Sequence, residues 1–102
     1  MKIATGNTVY ENVLSFDEYN NPVTGVSFDS QIFKDGILYT GITVSKTLSN
    51  SDRALYTFSW SASTFGEYQL YVKNNNTTVL FMSDVFSVVS DDEANLTVYV
   101  GL

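Results

Sequence analysis

The sequence predicts a single all-β domain over residues 1–102, an antiparallel β-sandwich of seven to nine short strands. Tyr and Phe occur seven times each, Val twelve times and Thr eleven times, and these residues suit a pleated, half-buried surface. Good helix formers are scarce, with four Lys, four Glu and four Ala. Turn residues interrupt the alternating apolar and polar runs about every 8–12 positions, which is typical of sandwiches and small barrels.

The first half of the chain is predicted to hold three strands. They cover residues 9–17, 23–33 and 37–44. A cluster of turn residues at 18–22 separates the first two, and Asp35-Gly36 predicts a tight hairpin between the second and the third. Residues 45–52 are polar apart from Leu48, so they are predicted to form a loop.

The second half contains the clearest strand of the sequence, residues 53–61, in which Ala54, Tyr56, Phe58 and Trp60 share one face. A corner at 62–66 leads into a strand at 67–73. Residues 78–82 and 85–89 are predicted to form two strands, or one strand bent at Ser83-Asp84. An acidic loop at 90–95 and a last strand at 96–100 complete the chain.

The period of two along these strands predicts which side chains form the core. In residues 9–17 the inward face is assigned to Leu14 and Phe16, with Val9, Glu11 and Val13 on the other face. The full predicted core is Leu14, Phe16, Val26, Phe28, Ile32, Tyr56, Phe58, Trp60, Tyr68, Leu70, Val72, Phe86, Val88 and Val98.

Composition excludes most catalytic chemistry. The chain has neither Cys nor His, so it lacks disulfides, thiolate zinc sites, a Cys nucleophile and the Ser-His-Asp triad. We therefore expect a protein that is not an enzyme and that uses no cofactor and no metal ion. Eleven acidic against five basic residues leave a net charge of −6, which excludes an ordinary nucleic-acid binder because such proteins need a basic patch. The N-terminus lacks the apolar stretch of a secretory signal, and no apolar run is long enough to predict membrane insertion.

Two segments, at 17–28 and within 60–72, carry a family resemblance. Residues 17–28 read DEYNNPVTGVSF and resemble the D-x-x-G-N-P-V-x-G-V-x-F link between the first two strands of bacterial and phage immunoglobulin-like domains. Asn20 stands where that family usually has glycine, and Asn also tolerates the left-handed conformation. Residues 66–72, GEYQLYV, resemble the G-x-Y-x-L-x-V corner of the same domains, in which Tyr68 would form a tyrosine corner.

The resemblance implies an immunoglobulin-like β-sandwich and a place on a tailed-phage particle. This short, acidic chain without Cys is similar to the capsid decoration, head-fibre and tail accessory proteins of such particles. The expected function is thus that of a non-enzymatic virion protein whose partners are capsid or tail proteins and further copies of itself. Two alternatives remain open: a carbohydrate-binding or adhesion module that contacts host-surface glycans, and a domain of a larger surface protein.

Three groups of side chains are candidate sites. Tyr71 alternates onto the face opposite Tyr68 and Leu70, so it is the candidate aromatic for ligand contact, with ordinary cross-strand packing as the alternative. The aromatic row that includes Trp60 is predicted to be core and not a sugar-stacking platform. The acidic residues of the loop at 90–95 are interpreted as a solvated loop in preference to a calcium site. That group is Asp91, Asp92 and Glu93, with Asp84 or Asp17 as further ligands if calcium were bound.

The last strand is the candidate interface. Leu96, Thr97, Val98 and Tyr99 carry no charge, and the strand predicted at 78–82 is also uncharged. Edge strands of soluble monomers are usually protected by charges or Pro, so an unprotected edge is expected to be covered by a partner. The alternative is that both strands lie inside their sheets.

Overall fold

The computed structural model describes the backbone of residues 1–74 and 78–90 and the side chains of residues 1–73 and 81–90. Within those residues the chain forms nine strands and no helix, hence no helix that could cross a membrane. The strands are β1 (Lys2–Ala4), β2 (Thr8–Leu14), β3 (Phe28–Lys34), β4 (Ile37–Tyr39), β5 (Ser45–Asn50), β6 (Leu55–Ser61), β7 (Gly66–Asn74), β8 (Thr78–Met82) and β9 (Phe86–Val89).

The strands form two sheets. The larger sheet has the order β1-β9-β7-β3-β4, with β8 also paired to β7, and the smaller sheet has the order β2-β6-β5. Among the described strands every pairing is antiparallel except that of β1 with β9, which is parallel and corrects the expectation of an antiparallel sandwich. No tight turn links β1 to β9, which are far apart in the chain, so nothing local imposes an antiparallel direction on them.

This strand order is that of a β-sandwich, and it matches the order of strands in immunoglobulin-like domains. Strands β2, β6 and β5 occupy the positions of B, E and D, and β4, β3, β7 and β9 occupy those of C′, C, F and G. Strands β8 and β9 lie along the same edge of β7, so they act as one strand broken at Ser83-Asp84. The buried Ser83 maintains the ladder across the break, because its hydroxyl accepts the N–H of Leu70 at 2.9 Å. The predicted all-β sandwich of seven to nine strands is confirmed, with the parallel β1–β9 pairing as the exception to its antiparallel order.

The core is a layer of aromatic and aliphatic side chains between the two sheets. Phe28 of the larger sheet meets Tyr56 of the smaller sheet edge to face, with ring centroids 5.0 Å apart. Trp60 meets Tyr68 at 5.7 Å and Phe86 at 6.0 Å. The buried hydrophobic residues are Ala4, Val9, Ile32, Ala54, Tyr56, Phe58, Trp60, Ala62, Tyr68, Leu70, Val72, Phe86 and Val88. Of the predicted core, Val26 and Phe28 are only half-buried, and Val98 lies outside the described residues.

The prediction for the inward face of β2 was wrong. Leu14 and Phe16 are 45% and 61% exposed, whereas Val9 is buried. Both faces of this segment carry apolar residues, so its own pattern is ambiguous. Pairing with β6 decides the face, because Val9 lies opposite Trp60 and cross-strand partners point the same way.

Several strand assignments also differ from the predictions. Residues 45–50 form β5, although they were predicted to be a loop, and every one of these side chains is exposed. Pairing with β6 creates this strand, since its own sequence carries no alternation that would predict it. Strand β3 begins at Phe28 and not at residue 23, and β4 ends at Tyr39 and not at residue 44. Strand β1 was not predicted.

The conformations of the turns agree with the sequence predictions more closely than the strand boundaries do. Asp35 and Gly36 both have positive φ angles, 53° and 82°, as a type I′ hairpin requires. Asn20 has a φ of 65°, the left-handed conformation that the resemblance assigns to glycine at this position. The Tyr68 hydroxyl donates a hydrogen bond to the carbonyl of Thr64 at 3.0 Å, so the predicted tyrosine corner is confirmed.

Phe58→Ala should lower the free energy of unfolding by about 3–5 kcal/mol, because it removes a buried ring and leaves a cavity between the sheets. Urea unfolding followed by tryptophan fluorescence measures the change. Phe16→Ala is the matched control, since the same truncation at an exposed position should cost less than about 1 kcal/mol. Equal losses in the two variants would contradict the assignment of faces.

Candidate functional site

The outer face of the larger sheet has an aromatic pair at its centre. The rings of Phe33 and Tyr71 lie 4.4 Å apart between centroids, tilted by 38°. Gln31 is paired with Tyr71 and Gln69 with Phe33, so the two rings are diagonal neighbours on adjacent strands. Both rings are half-buried, which leaves part of each accessible at the surface.

Apolar side chains from neighbouring strands extend this pair. Leu38, Met82 and Val85 are 47%, 55% and 44% exposed. Leu38 is the strand partner of Phe33, and Met82 is the partner of Tyr71, so both share the face of the aromatic pair. We call these five residues, Phe33, Leu38, Tyr71, Met82 and Val85, the apolar patch.

Polar groups border the apolar patch. A shallow depression of about 270 Å³ is lined by Phe33, Tyr71 and Val85 together with Gly36, Glu67 and Gln69. The Gln69 amide donates to the carbonyl of Ser83 at 2.8 Å, and the Glu67 carboxylate accepts from the Ser87 hydroxyl at 2.7 and 2.9 Å. An apolar centre with a polar border is typical of a binding surface.

The outer face of the smaller sheet is different in kind. Tyr10, Asn12 and Thr57 lie on it, and a ladder of hydrogen bonds crosses its three strands. The Thr57 hydroxyl donates to the Asn12 amide oxygen at 2.8 Å, and it lies 2.6 Å from the Ser49 hydroxyl. The described residues of this surface carry no charge, and Asn12, Thr57 and Ser49 form hydrogen bonds to one another across it.

The two edge strands of the smaller sheet each carry one charge that points toward the space between the sheets. Glu11 of β2 and Lys46 of β5 are both strand partners of the buried Phe58. The Lys46 ammonium lies 5.5 Å from the centroid of the Phe28 ring and 5.7 Å from that of Tyr56. Inward-pointing charges on edge strands restrict which other strands can pair with them, because a paired strand must accommodate the charge.

Glu11 lines a cleft of about 450 Å³ between β2 and the edge of the larger sheet, together with Ile3, Val9, Phe86 and Asp84. Burial raises the pKa of the Glu11 carboxyl, and the nearby charge of Asp84 raises it further. Ionisation of Glu11 in this cleft therefore destabilises the folded state.

Asp17 shows the opposite shift in the loop between β2 and β3. Its carboxylate accepts the backbone N–H groups of Asn21 and Tyr19 at 2.9 and 2.8 Å, and these hydrogen bonds lower its pKa. Phe16 and Tyr19, on either side of Asp17, are both exposed.

The structure describes only some of the predicted site residues. Tyr71 lies at the centre of the apolar patch, where it both packs against Phe33 and remains partly accessible. Trp60 is core, as predicted. The candidate interface residues Leu96, Thr97, Val98 and Tyr99 and the acidic residues Asp91, Asp92 and Glu93 lie outside the described residues. Strand β8 has β7 as its strand partner within the described chain, which places it at a sheet edge.

Sequence reasoning missed Phe33, Leu38, Met82 and Val85. A usable signal existed for Phe33, because it alternates with the buried Ile32 and so had to face outward. Leu38 and Met82 reach the apolar patch only through the pairing of β4 with β3 and of β8 with β7.

Comparison with protein-family models, curated proteins and solved structures returned no match for this chain.

Glu11→Gln should change the dependence of stability on pH. Because the pKa of Glu11 is raised in the folded state, its contribution to stability is fully present below the unfolded-state pKa of about 4.3 and is lost as the pH rises through the folded-state value. The variant has no carboxylate to ionise, so it should gain stability relative to the wild type between about pH 4 and pH 7.

Urea unfolding midpoints at the two pH values measure this difference. Glu18→Gln, in an exposed loop, controls for the change in net charge. If the stability gain of Glu11→Gln over the wild type shrank as the pH rose, the result would contradict the buried position of Glu11.

Proposed function

We propose that this chain is a non-enzymatic structural or accessory protein of a virion, on the capsid or the tail, that acts by protein–protein contact. The resemblance of residues 17–28 and 66–72 to immunoglobulin-like domains of phages supports this proposal. A net charge of −6 suits the exterior of a particle, because it disfavours contact with packaged DNA. The absence of Cys suits assembly in a reducing cytoplasm.

The apolar patch carries the proposal of protein–protein contact. It groups three exposed aliphatic side chains around two half-buried aromatic rings, on the outer face of a sheet whose inner face already forms the core. Single exposed hydrophobic residues are ordinary, but a contiguous group with a polar border is typical of protein interfaces. The partner surface should be apolar at its centre, with donors that can meet Glu67 at the border.

Met82→Asp and Tyr71→Asp should each weaken binding to the particle by at least about tenfold, because a charge would be buried in the interface. Virions of the source phage that lack this protein would be incubated with the purified protein and sedimented, and the bound fraction would be measured against concentration. Tyr10→Asp is the matched control, since it adds the same charge to the outer face of the smaller sheet.

Met82 is more exposed than Tyr71, so its replacement should leave the fold intact. Circular dichroism and a urea midpoint would check each variant. If Tyr10→Asp abolished saturable binding and Met82→Asp left it unchanged, the interface would lie on the smaller sheet. Failure of the wild type to bind at about 100 μM would refute the proposed function.

The second candidate is a glycan-binding module, and the surroundings of the Tyr71 ring favour it. The accessible part of that ring lies near Gln69 and Glu67, and sugars bind aromatic faces bordered by amide and carboxylate groups. Host polysaccharide titrated in a calorimeter should give heat with the wild type and none with Tyr71→Ala. Tyr19→Ala would serve as the control, because Tyr19 is an exposed aromatic residue in the loop between β2 and β3. Equal heats from the two variants would exclude Tyr71 as the contact.

A further inference from the structure

We propose that copies of this chain associate through the edges of the smaller sheet, with β2 of one copy pairing in parallel with β5 of the next. The occupant of each edge is thus a second copy of the chain. This inference stands apart from the proposed function, because it concerns association in solution and uses residues outside the apolar patch.

The first step is that β2 and β5 are the outer strands of the smaller sheet in the described chain. In the part of the chain that the structure describes, β2 and β5 each pair with β6 and with no other strand. Each therefore presents backbone N–H and C=O groups on its outer side. Such an edge is a template for a further strand unless something prevents pairing.

The second step is that the inward charges select one pairing among three. Glu11 and Lys46 lie in the same row of the sheet, on either side of Phe58. Two β2 edges in the register that aligns their Glu11 rows would oppose Glu11 to Glu11, and two β5 edges aligned at Lys46 would oppose Lys46 to Lys46. Like charges directly opposite each other are destabilising, whereas β2 against β5 sets Glu11 beside Lys46.

The third step is that the neighbouring rows match as well. Both β2 and β5 are antiparallel to β6, so they run in the same direction, and a translated copy keeps that direction. With Glu11 beside Lys46, the next row brings together Asn12 and Thr47, which share rows with Thr57. The following row brings together Val13 and Leu48, which share rows with Tyr56.

These rows pair polar with polar and apolar with apolar side chains. Leu48 points toward the core side but is 42% exposed at the open edge, and Val13 of a second copy would cover it. The Asn12 amide oxygen accepts a hydrogen bond from Thr57, and its N–H groups can donate to the Thr47 hydroxyl of a second copy. Charge, hydrogen bonding and apolar contact thus agree on one register.

The pairing is heterologous, since it joins two different edges. Such contacts generate a ring if the rotation that relates neighbouring copies closes, and a filament if it does not. They do not end at a dimer of two-fold symmetry, because each copy keeps one edge unpaired. We therefore expect assemblies larger than a dimer at high concentration.

Charge reversal tests the pairing. Sedimentation velocity at increasing concentration should show association of the wild type, and Glu11→Lys and Lys46→Glu should each weaken it by at least about tenfold. The double reversal should restore it, because the opposite charges again face each other. Glu18→Lys alters the net charge by the same amount as Glu11→Lys at an exposed loop position and should not change association.

A cross-linking measurement tests the register independently. The chain contains no Cys, so Asn12→Cys with Thr47→Cys places the only two thiols of the variant in the same row, on adjacent strands of neighbouring copies. Oxidation should give a ladder of dimers, trimers and larger species on a non-reducing gel. Asn12→Cys alone should give no ladder.

Three results would overturn the proposal. One is a wild type that stays monomeric up to about 1 mM. Another is a double reversal that fails to restore association although circular dichroism shows an intact fold. The third is efficient dimer formation by Asn12→Cys alone, which would indicate that two β2 edges pair with each other. Particle binding lost through Met82→Asp would leave all three readouts unchanged, so the two proposals fail separately.

Discussion

The rest of the structure depends on the inward aromatic row of β6, formed by Tyr56, Phe58 and Trp60. These rings fill the space between the sheets and contact Phe28, Tyr68 and Phe86 of the larger sheet. Because β6 is the central strand of the smaller sheet, both of its neighbours must take their register from it. The row therefore holds the two sheets together and also decides which side chains of β2 and β5 point inward.

That register has an electrostatic consequence. It places Glu11 and Lys46 opposite the buried Phe58, one at each open edge of the smaller sheet. The Lys46 ammonium lies over two aromatic rings, while Glu11 lies in a cleft where burial and Asp84 raise its pKa. A sheet with one charge of each sign at its two edges resists pairing between like edges and accommodates pairing between unlike ones.

The two sheets thus offer surfaces for different purposes. The larger sheet has an apolar outer face bordered by polar groups, which suits contact with a different protein. The smaller sheet has an uncharged, internally hydrogen-bonded outer face and charged edges, which suits association between copies in one plane. The proposed contact with a partner protein and the proposed association of copies therefore use surfaces of this fold that do not overlap.

The sequence by itself determined the features that depend on local chemistry: the alternation of β6 and β7, the Asp35-Gly36 hairpin, the left-handed Asn20 and the outward position of Tyr71. Only the tertiary structure decided the inward face of β2, the existence of β5, the parallel pairing of β1 with β9 and the grouping of Leu38 and Met82 around Tyr71. The physical reason is that each of these depends on which residue of a distant strand lies opposite. A period of two shows that a strand has two faces, but a partner strand determines which face is buried.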